Sequence, residues 1–215
     1  MTTVKGCLIT LEGGEGAGKS TVLAALRDHM VAQGVRLLVT REPGGTPLAE
    51  AIRSIVLDST LGPVCAESEL LLMFAARAQL VRELILPALD RGDWVLSDRF
   101  TDASYAYQGG GRGQPSARIN DLEAWAAAGL RPELTLLLDV PVTIGMARVE
   151  GRSAPDRIEN EKTDFFERVR RAYRERAAAD PSRFRIIDSS LGIEAVRKSA
   201  CAAVDAFIAR RKGGA

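Results

Sequence analysis

The residues Gly13-Gly14-Glu15-Gly16-Ala17-Gly18-Lys19-Ser20 match the pattern G-x-x-x-x-G-K-[ST]. Glycines at these positions let the backbone turn so that several N–H groups converge on phosphate oxygens. A helix that starts near Gly18 aims the positive end of its dipole at the same anion. Lys19 is placed to reach the β- and γ-phosphates of a nucleotide, and the Ser20 hydroxyl to hold Mg²⁺. With Thr21 behind them, these residues are the candidate donor-binding set. The bland alternative is a glycine-rich turn before an ordinary helix, and the flanks decide against it. An apolar run precedes the loop, and an apolar stripe at helical spacing follows it.

Those flanks belong to a larger pattern. Five short runs, Gly6–Leu11, Val35–Thr40, Trp94–Ser97, Leu134–Asp139 and Phe184–Asp188, are apolar at consecutive positions and do not alternate. Such runs read as strands buried on both faces, as in a parallel sheet. Helical stripes lie between them. Val22, Leu23, Leu26 and Met30 stop at Gly34; Leu48, Ile52, Ile55 and Val56 follow Pro47; a long segment runs from Leu70 to Asp90; Ile193, Val196, Ala200, Val204 and Ile208 recur near the end. The alternation predicts an α/β fold: a doubly wound, five-stranded parallel sheet with helices on both faces, of the P-loop NTPase type. Ligands bind such sheets at the carboxyl ends of the strands. Glu12, Arg41-Glu42, Asp98-Arg99 and Asp139 cluster at the predicted ends.

Composition bounds the function. The 215 residues are 46% hydrophobic, with 29 Lys plus Arg against 28 Asp plus Glu, a net charge of +1. That length and apolar content predict one domain spanning 1–215 with a full core. The balanced charge argues against nucleic acid or an anionic membrane as a main partner. No apolar run reaches the length of a membrane span, and residues 1–5 begin no signal-peptide segment. Cys7, Cys65 and Cys201 lie far apart in no zinc spacing, which with the foregoing predicts a reduced, cytoplasmic protein. His29 is the sole histidine, so histidine-based triads and metal sites are nearly excluded.

A phosphate loop alone gives binding and no reaction. The chain carries no NKxD sequence, and Asp139-Val140-Pro141 lacks the acidic pair of a motor ATPase. Small size and clustered arginines point to a phosphotransferase with a small acceptor. Arg99, just past the third strand, is a natural two-pronged clamp for an acceptor phosphate, with Asp98 near the metal.

The stretches Arg41-Glu42-Pro43-Gly44-Gly45-Thr46, Asp98-Arg99-Phe100, Ala106-Tyr107-Gln108-Gly109-Gly110-Gly111 and Asp156-Arg157-Ile158-Glu159 stand in order around the phosphate loop. In this the chain resembles the thymidylate kinases over nearly its whole length. The resemblance implies phosphorylation of dTMP to dTDP by ATP and Mg²⁺ in nucleotide biosynthesis, usually by a homodimer. It implies that Arg99 contacts the monophosphate and that Glu15 binds the deoxyribose 3′-hydroxyl. Arg41, Pro43 and Arg77 would help hold the acceptor. Tyr107, with Gln108 beside it, would disfavour a 2′-hydroxyl, and Ser104 would meet the thymine edge, although Ala103 stands where the family often has serine. The family places an aromatic four residues before Arg77; here that residue is Met73, and Phe74 is next. Phe74 is the expected stacking residue because a pyrimidine prefers an aromatic face, with Met73 open as a soft contact.

A lid is expected at about 148–157, where Arg148, Arg152 and Arg157 accompany Gly151 and Pro155. Small residues would make it mobile, and arginines would lay charge over the phosphates while excluding water. Some thymidylate kinases carry a transition-state arginine two residues before the last glycine of the phosphate loop. Here that residue is Gly16, so the lid is expected to supply it, through Arg152, with Arg148 and Arg157 supporting ATP.

Overall fold

A computed structural model describes residues 6–150 and 156–213. Arg152, the expected transition-state arginine, and its neighbours Gly151 and Pro155 lie outside the described residues. Five parallel strands form one sheet in the order β2-β3-β1-β4-β5, with β1 at Leu8–Gly13, β2 at Leu37–Arg41, β3 at Trp94–Asp98, β4 at Leu134–Asp139 and β5 at Phe184–Asp188. All five coincide with the apolar runs. The main difference is at β1, which extends through Glu12 to Gly13, so Glu12 is a strand residue with no exposure.

Helices cover both faces, and the strands alternate between them. Ile9 and Leu11 of β1, with Leu136 and Leu138 of β4, pack on helix α1 (Lys19–Ala32) and the C-terminal helix (Ile193–Gly213). Gly34 follows α1 at φ +77°, a left-handed position that suits glycine. Thr10, Glu12, Thr135 and Leu137 point the other way. There the Thr10 and Thr135 hydroxyls meet at 2.8 Å. A polar set is therefore sealed inside the opposite layer, where strand residues that look interchangeable in sequence take different roles.

Helix α2 (Pro47–Leu57) begins with Pro47 in its first turn, and the Thr46 hydroxyl accepts from the Ala49 N–H at 3.3 Å. The predicted Leu70–Asp90 helix starts earlier. It comprises α3 (Ala66–Leu80), a π-helical turn at Val81–Ile85, and α4 (Leu86–Asp90). Pro87 accounts for the widened turn: it has no N–H to give, and its ring crowds the carbonyl four residues back. After β3 comes the short α5 (Thr101–Ser104), which runs into a second π-helical segment, Tyr105–Gly111. Helices α6 (Ser116–Ala126), α7 (Val142–Val149), α8 (Thr163–Ala179) and α9 (Ile193–Gly213) complete the order.

The glycines of Tyr105–Gly111 have a packing reason. A Cβ on Gly110 would stand 2.7 Å from the Ala172 Cβ, and one on Gly111 would stand 2.4 Å from the Phe165 ring. The missing side chains let this segment press against α8, which brings Tyr107 and Tyr173 edge to face.

Candidate active site

The phosphate loop leaves β1 through Gly13 at φ +146° and turns at Gly16 (φ +67°) and Gly18 (φ +84°). No side chain caps the start of α1, so its first amides are free to meet an anion. Lys19 folds back to donate to the carbonyls of Gly13 and Gly14 at 3.1 and 3.0 Å. Burial and the charge of Arg99 hold its ammonium below the ordinary lysine range, against the pull of Glu15 and Asp98. Gly16 meets α7 backbone to backbone: a Cβ on Gly145 would lie 2.4 Å from the Glu15 carbonyl oxygen. Arg148 donates to the carbonyls of Gly16 at 3.3 Å and Ser189 at 2.8 Å, and the Ser189 hydroxyl donates to Ala17 O at 2.6 Å. Helix α7 is thus tied to the phosphate loop through Arg148.

Two clefts meet at this loop. One runs along residues 15–21 and includes Arg41, Asp98 and Val149. The other is a cavity lined by Pro43, Met73, Ala103, Tyr107, Gln108 and Ile158. Glu15, Glu42, Arg53, Arg99 and Glu159 border both. A donor in the first and an acceptor in the second would therefore face each other across Glu15 and Arg99.

Arg99 is held in an unusual posture. Its φ is +71°, a conformation that disfavours a side-chain-bearing residue. Its N–H donates to Leu11 O at 2.9 Å, and the Ser97 hydroxyl donates to its carbonyl at 2.7 Å. The guanidinium donates to Glu15 Oε1 at 2.8 Å, to the Tyr107 hydroxyl at 3.0 Å, and to the Tyr173 hydroxyl and Gly13 O, both at 3.3 Å. Tyr107 itself donates to Glu15 at 2.7 Å. Burial alone would raise the Glu15 carboxyl. The charges of Lys19 and Arg99 and the hydrogen bonds from Tyr107 and Arg99 outweigh it and lower the carboxyl to about 2. Glu15 is thus an anion already resting on the cation expected to hold a phosphate.

Asp98 Oδ1 is buried with no hydrogen-bond partner, and Ser20 is exposed at the start of α1. Among the described residues, no group of three or more His, Cys, Asp or Glu is gathered to hold a metal. One carboxylate oxygen and one hydroxyl beside a phosphate cleft fit a magnesium ion that keeps most of its shell as water and substrate oxygens.

The second cavity departs from several expectations. Met73, and not Phe74, lines it. Phe74 sits on the far side of α3 with Leu70, Ile119 and Ala126, its ring 4.5 Å from the Arg77 guanidinium carbon. Adjacent helix positions point about 100° apart, so only one of the two can face the cavity. Ala103 faces the cavity, whereas Ser104 is fully buried and accepts from Arg77 at 3.0 Å. Arg77 lies behind the wall. It donates to Glu42 Oε2 at 2.8 and 2.6 Å and to Phe100 O at 3.0 Å, leaving Glu42 Oε1 buried without a partner. Arg41 is half exposed and pairs with Glu50 at 3.0 Å on the phosphate-loop side. Arg157 is corrected too. It donates to Glu69 at 2.7 Å and to Val56 O at 2.9 Å, which fastens the chain after the lid to α2 and α3 on the acceptor side, away from the donor cleft. Pro43, Tyr107 and Gln108 line this cavity, and Gln108 donates to Glu69 at 2.9 Å.

Arg53 borders both clefts and was not among the expected site residues; Glu42, expected at the ligand-binding end of its strand, borders both as well. Arg53 sits in α2 with no motif around it, so no sequence signal marks it. Glu42 stands inside the Arg41–Thr46 stretch, beside residues that were singled out.

Comparison with known proteins gives the family of the chain. A family model described as thymidylate kinase matches residues 11–200. The chain is 51% identical over 190 residues to a thymidylate kinase of Ruthia magnifica subsp. Calyptogena magnifica, covering 88% of this chain and 93% of that one. It is 55% identical over 192 residues to one from Neisseria meningitidis serogroup C, covering 89% and 92%. A crystal structure of thymidylate kinase from Ehrlichia chaffeensis superposes with a TM-score of 0.76 at 28% identity, covering 94% of this chain and 99% of that one.

Proposed function

The chain belongs to the thymidylate kinase family, and from that premise we propose which of its residues carry each part of the reaction. The reaction is transfer of the ATP γ-phosphoryl group to dTMP, giving ADP and dTDP on the route to dTTP. Such transfer needs positioning and neutralisation of spread negative charge more than covalent chemistry.

The residues of the phosphate loop from Gly13 to Thr21, with Lys19 at its end, hold the ATP phosphates, and Arg148 backs the loop. Ser20 and Asp98 would hold Mg²⁺, which would offset the negative charge of the phosphates. Arg99 grips the dTMP phosphate, and Arg53 adds a second cation where the two clefts join. Glu15 releases Arg99 and accepts from the 3′-hydroxyl. Met73, Pro43, Ala103 and Gln108 surround the base, and Tyr107 closes the space a 2′-hydroxyl would need. Arg77 acts through Glu42, which it orients by two hydrogen bonds. Arg152 supplies the transition-state arginine from the lid.

We further infer one domain over 1–215, a cytoplasmic location and a homodimer. No helix among the described residues is long and apolar enough to cross a membrane. Leu48 and Ile55 of α2, Leu71 of α3 and Trp125 of α6 are exposed apolar side chains, and α3 packs against both of the other helices. Such a surface suits a second copy of the chain.

The observation that carries these roles is the junction of the two clefts at Glu15 and Arg99. A coupled assay of ADP formation with dTMP, dUMP, dCMP, AMP and thymidine as acceptors tests them. Turnover is expected with dTMP foremost and to be lost in Arg99→Ala. Undiminished turnover in that variant would overturn the assignment.

A further inference from the structure

Arg99 donates to four groups, and they differ in what a ligand can do to them. Glu15 and Tyr107 line the acceptor cavity and can exchange Arg99 for substrate. Gly13 O belongs to the main chain. Tyr173 does not line that cavity; it is 1% exposed in the core between α8 and the Tyr105–Gly111 segment. Its hydroxyl donates to Glu12 Oε2 at 2.7 Å, so the oxygen that faces Arg99 Nη1 is left as an acceptor.

Glu12 reaches Arg99 by a second route. Its Oε1 accepts from the Phe100 N–H at 2.7 Å and fixes the peptide that follows Arg99. That peptide belongs to the turn in which Arg99 holds φ +71°. Glu12 itself is wholly buried near the end of β1, in a strand whose other side chains apart from Thr10 are apolar. A carboxylate is costly there unless its oxygens are engaged, and these two oxygens meet the backbone and the side-chain partner of one arginine.

We propose that Glu12 and Tyr173 are positioning residues for the acceptor phosphate. Glu12 fixes the Arg99 turn and orients the Tyr173 hydroxyl, and Tyr173 aims the guanidinium toward the monophosphate when Glu15 lets it go. This inference rests on the reading of Arg99 as the phosphate clamp. It adds a fixed rear support to a clamp whose front partners are exchangeable.

Calorimetric titration of dTMP and of thymidine, which lacks the phosphate, tests it. The readout is the ratio of the two dissociation constants in the full-length wild type, Tyr173→Phe, Glu12→Gln and Arg99→Met. Tyr173→Phe keeps the ring and its packing, so thymidine affinity serves as the control for an intact cavity. Arg99→Met is expected to abolish most of the preference for dTMP. Tyr173→Phe is expected to cut that preference about ten- to a hundredfold, the scale of losing one bond to a charged group, with thymidine affinity unchanged. Glu12→Gln is expected to fall in the same direction. An unchanged ratio in Tyr173→Phe, or an equal loss for both ligands, overturns the proposal while Arg99→Met still upholds the clamp. An unchanged ratio in Arg99→Met would overturn the clamp and the proposal together.

Discussion

As proposed, Glu15 serves both the resting and the loaded site. Its carboxyl is lowered to about 2, against burial, by Lys19, Arg99 and Tyr107. A depressed acid adds stability above its ordinary value of 4.5, and that stability is lost as pH falls toward 2. The shift corresponds to at most roughly 3 kcal/mol. Glu15→Gln should therefore lose less stability than the wild type between pH 4.5 and 2, measured by urea unfolding; parallel curves would contradict the pairing. Arg152→Ala should lower turnover about 10³-fold if it acts as such arginines do, with dTMP affinity little changed. An unaltered turnover number would remove Arg152 from the reaction. The phosphate-loop residues and Asp98-Arg99 were legible in the sequence because their chemistry demands fixed residue types at fixed spacing. Arg53 was not, since one arginine on an amphipathic helix looks like any other. Phe74 was misjudged because adjacent helix positions diverge by about 100°, and only the packing of α3 against its neighbours decides which of them faces the cavity.

At the scale of elements, the strands were readable because parallel strands buried on both faces leave unbroken apolar runs. The π-helical turns were not, since they arise from tertiary demands: Pro87 in one, close packing on α8 in the other. Gly111 carries the second. Gly111→Ala would drive a Cβ to 2.4 Å from the Phe165 ring, and a misfit of this kind costs about 1–3 kcal/mol. Thermal unfolding should show the loss, and dTMP affinity should fall with it because the same segment carries Tyr107 and Gln108. An equally stable variant would mean that the segment yields, and that its glycines serve some other end. Helix α7 joins the phosphate loop through Gly16 and Gly145, and Arg157 joins the chain after the lid to α2 and α3. The segments on either side of residues 151–155 are thus tied to different parts of the site, one to the phosphate loop and one to α2 and α3.

Over the whole molecule, the sheet order puts the ends of β1, β2 and β3 side by side, so that Glu15, Glu42, Asp98 and Arg99 come from distant parts of the chain to one crevice. Exposed Leu48, Ile55, Leu71 and Trp125 give the proposed dimer its surface. Leu71→Glu combined with Trp125→Glu should sediment as a monomer where the wild type sediments as a dimer; an unchanged sedimentation coefficient would place the contact elsewhere. The proposed mechanism turns on a single exchange, in which an incoming phosphate replaces Glu15 on Arg99. A crystal structure with dTMP and a non-hydrolysable ATP analogue measures it directly. The predicted result is Arg99 nitrogens at about 2.7–2.9 Å from the dTMP phosphate oxygens, with Glu15 turned to the deoxyribose. Arg99 still paired with Glu15, and the dTMP phosphate bound beyond its reach, would contradict it.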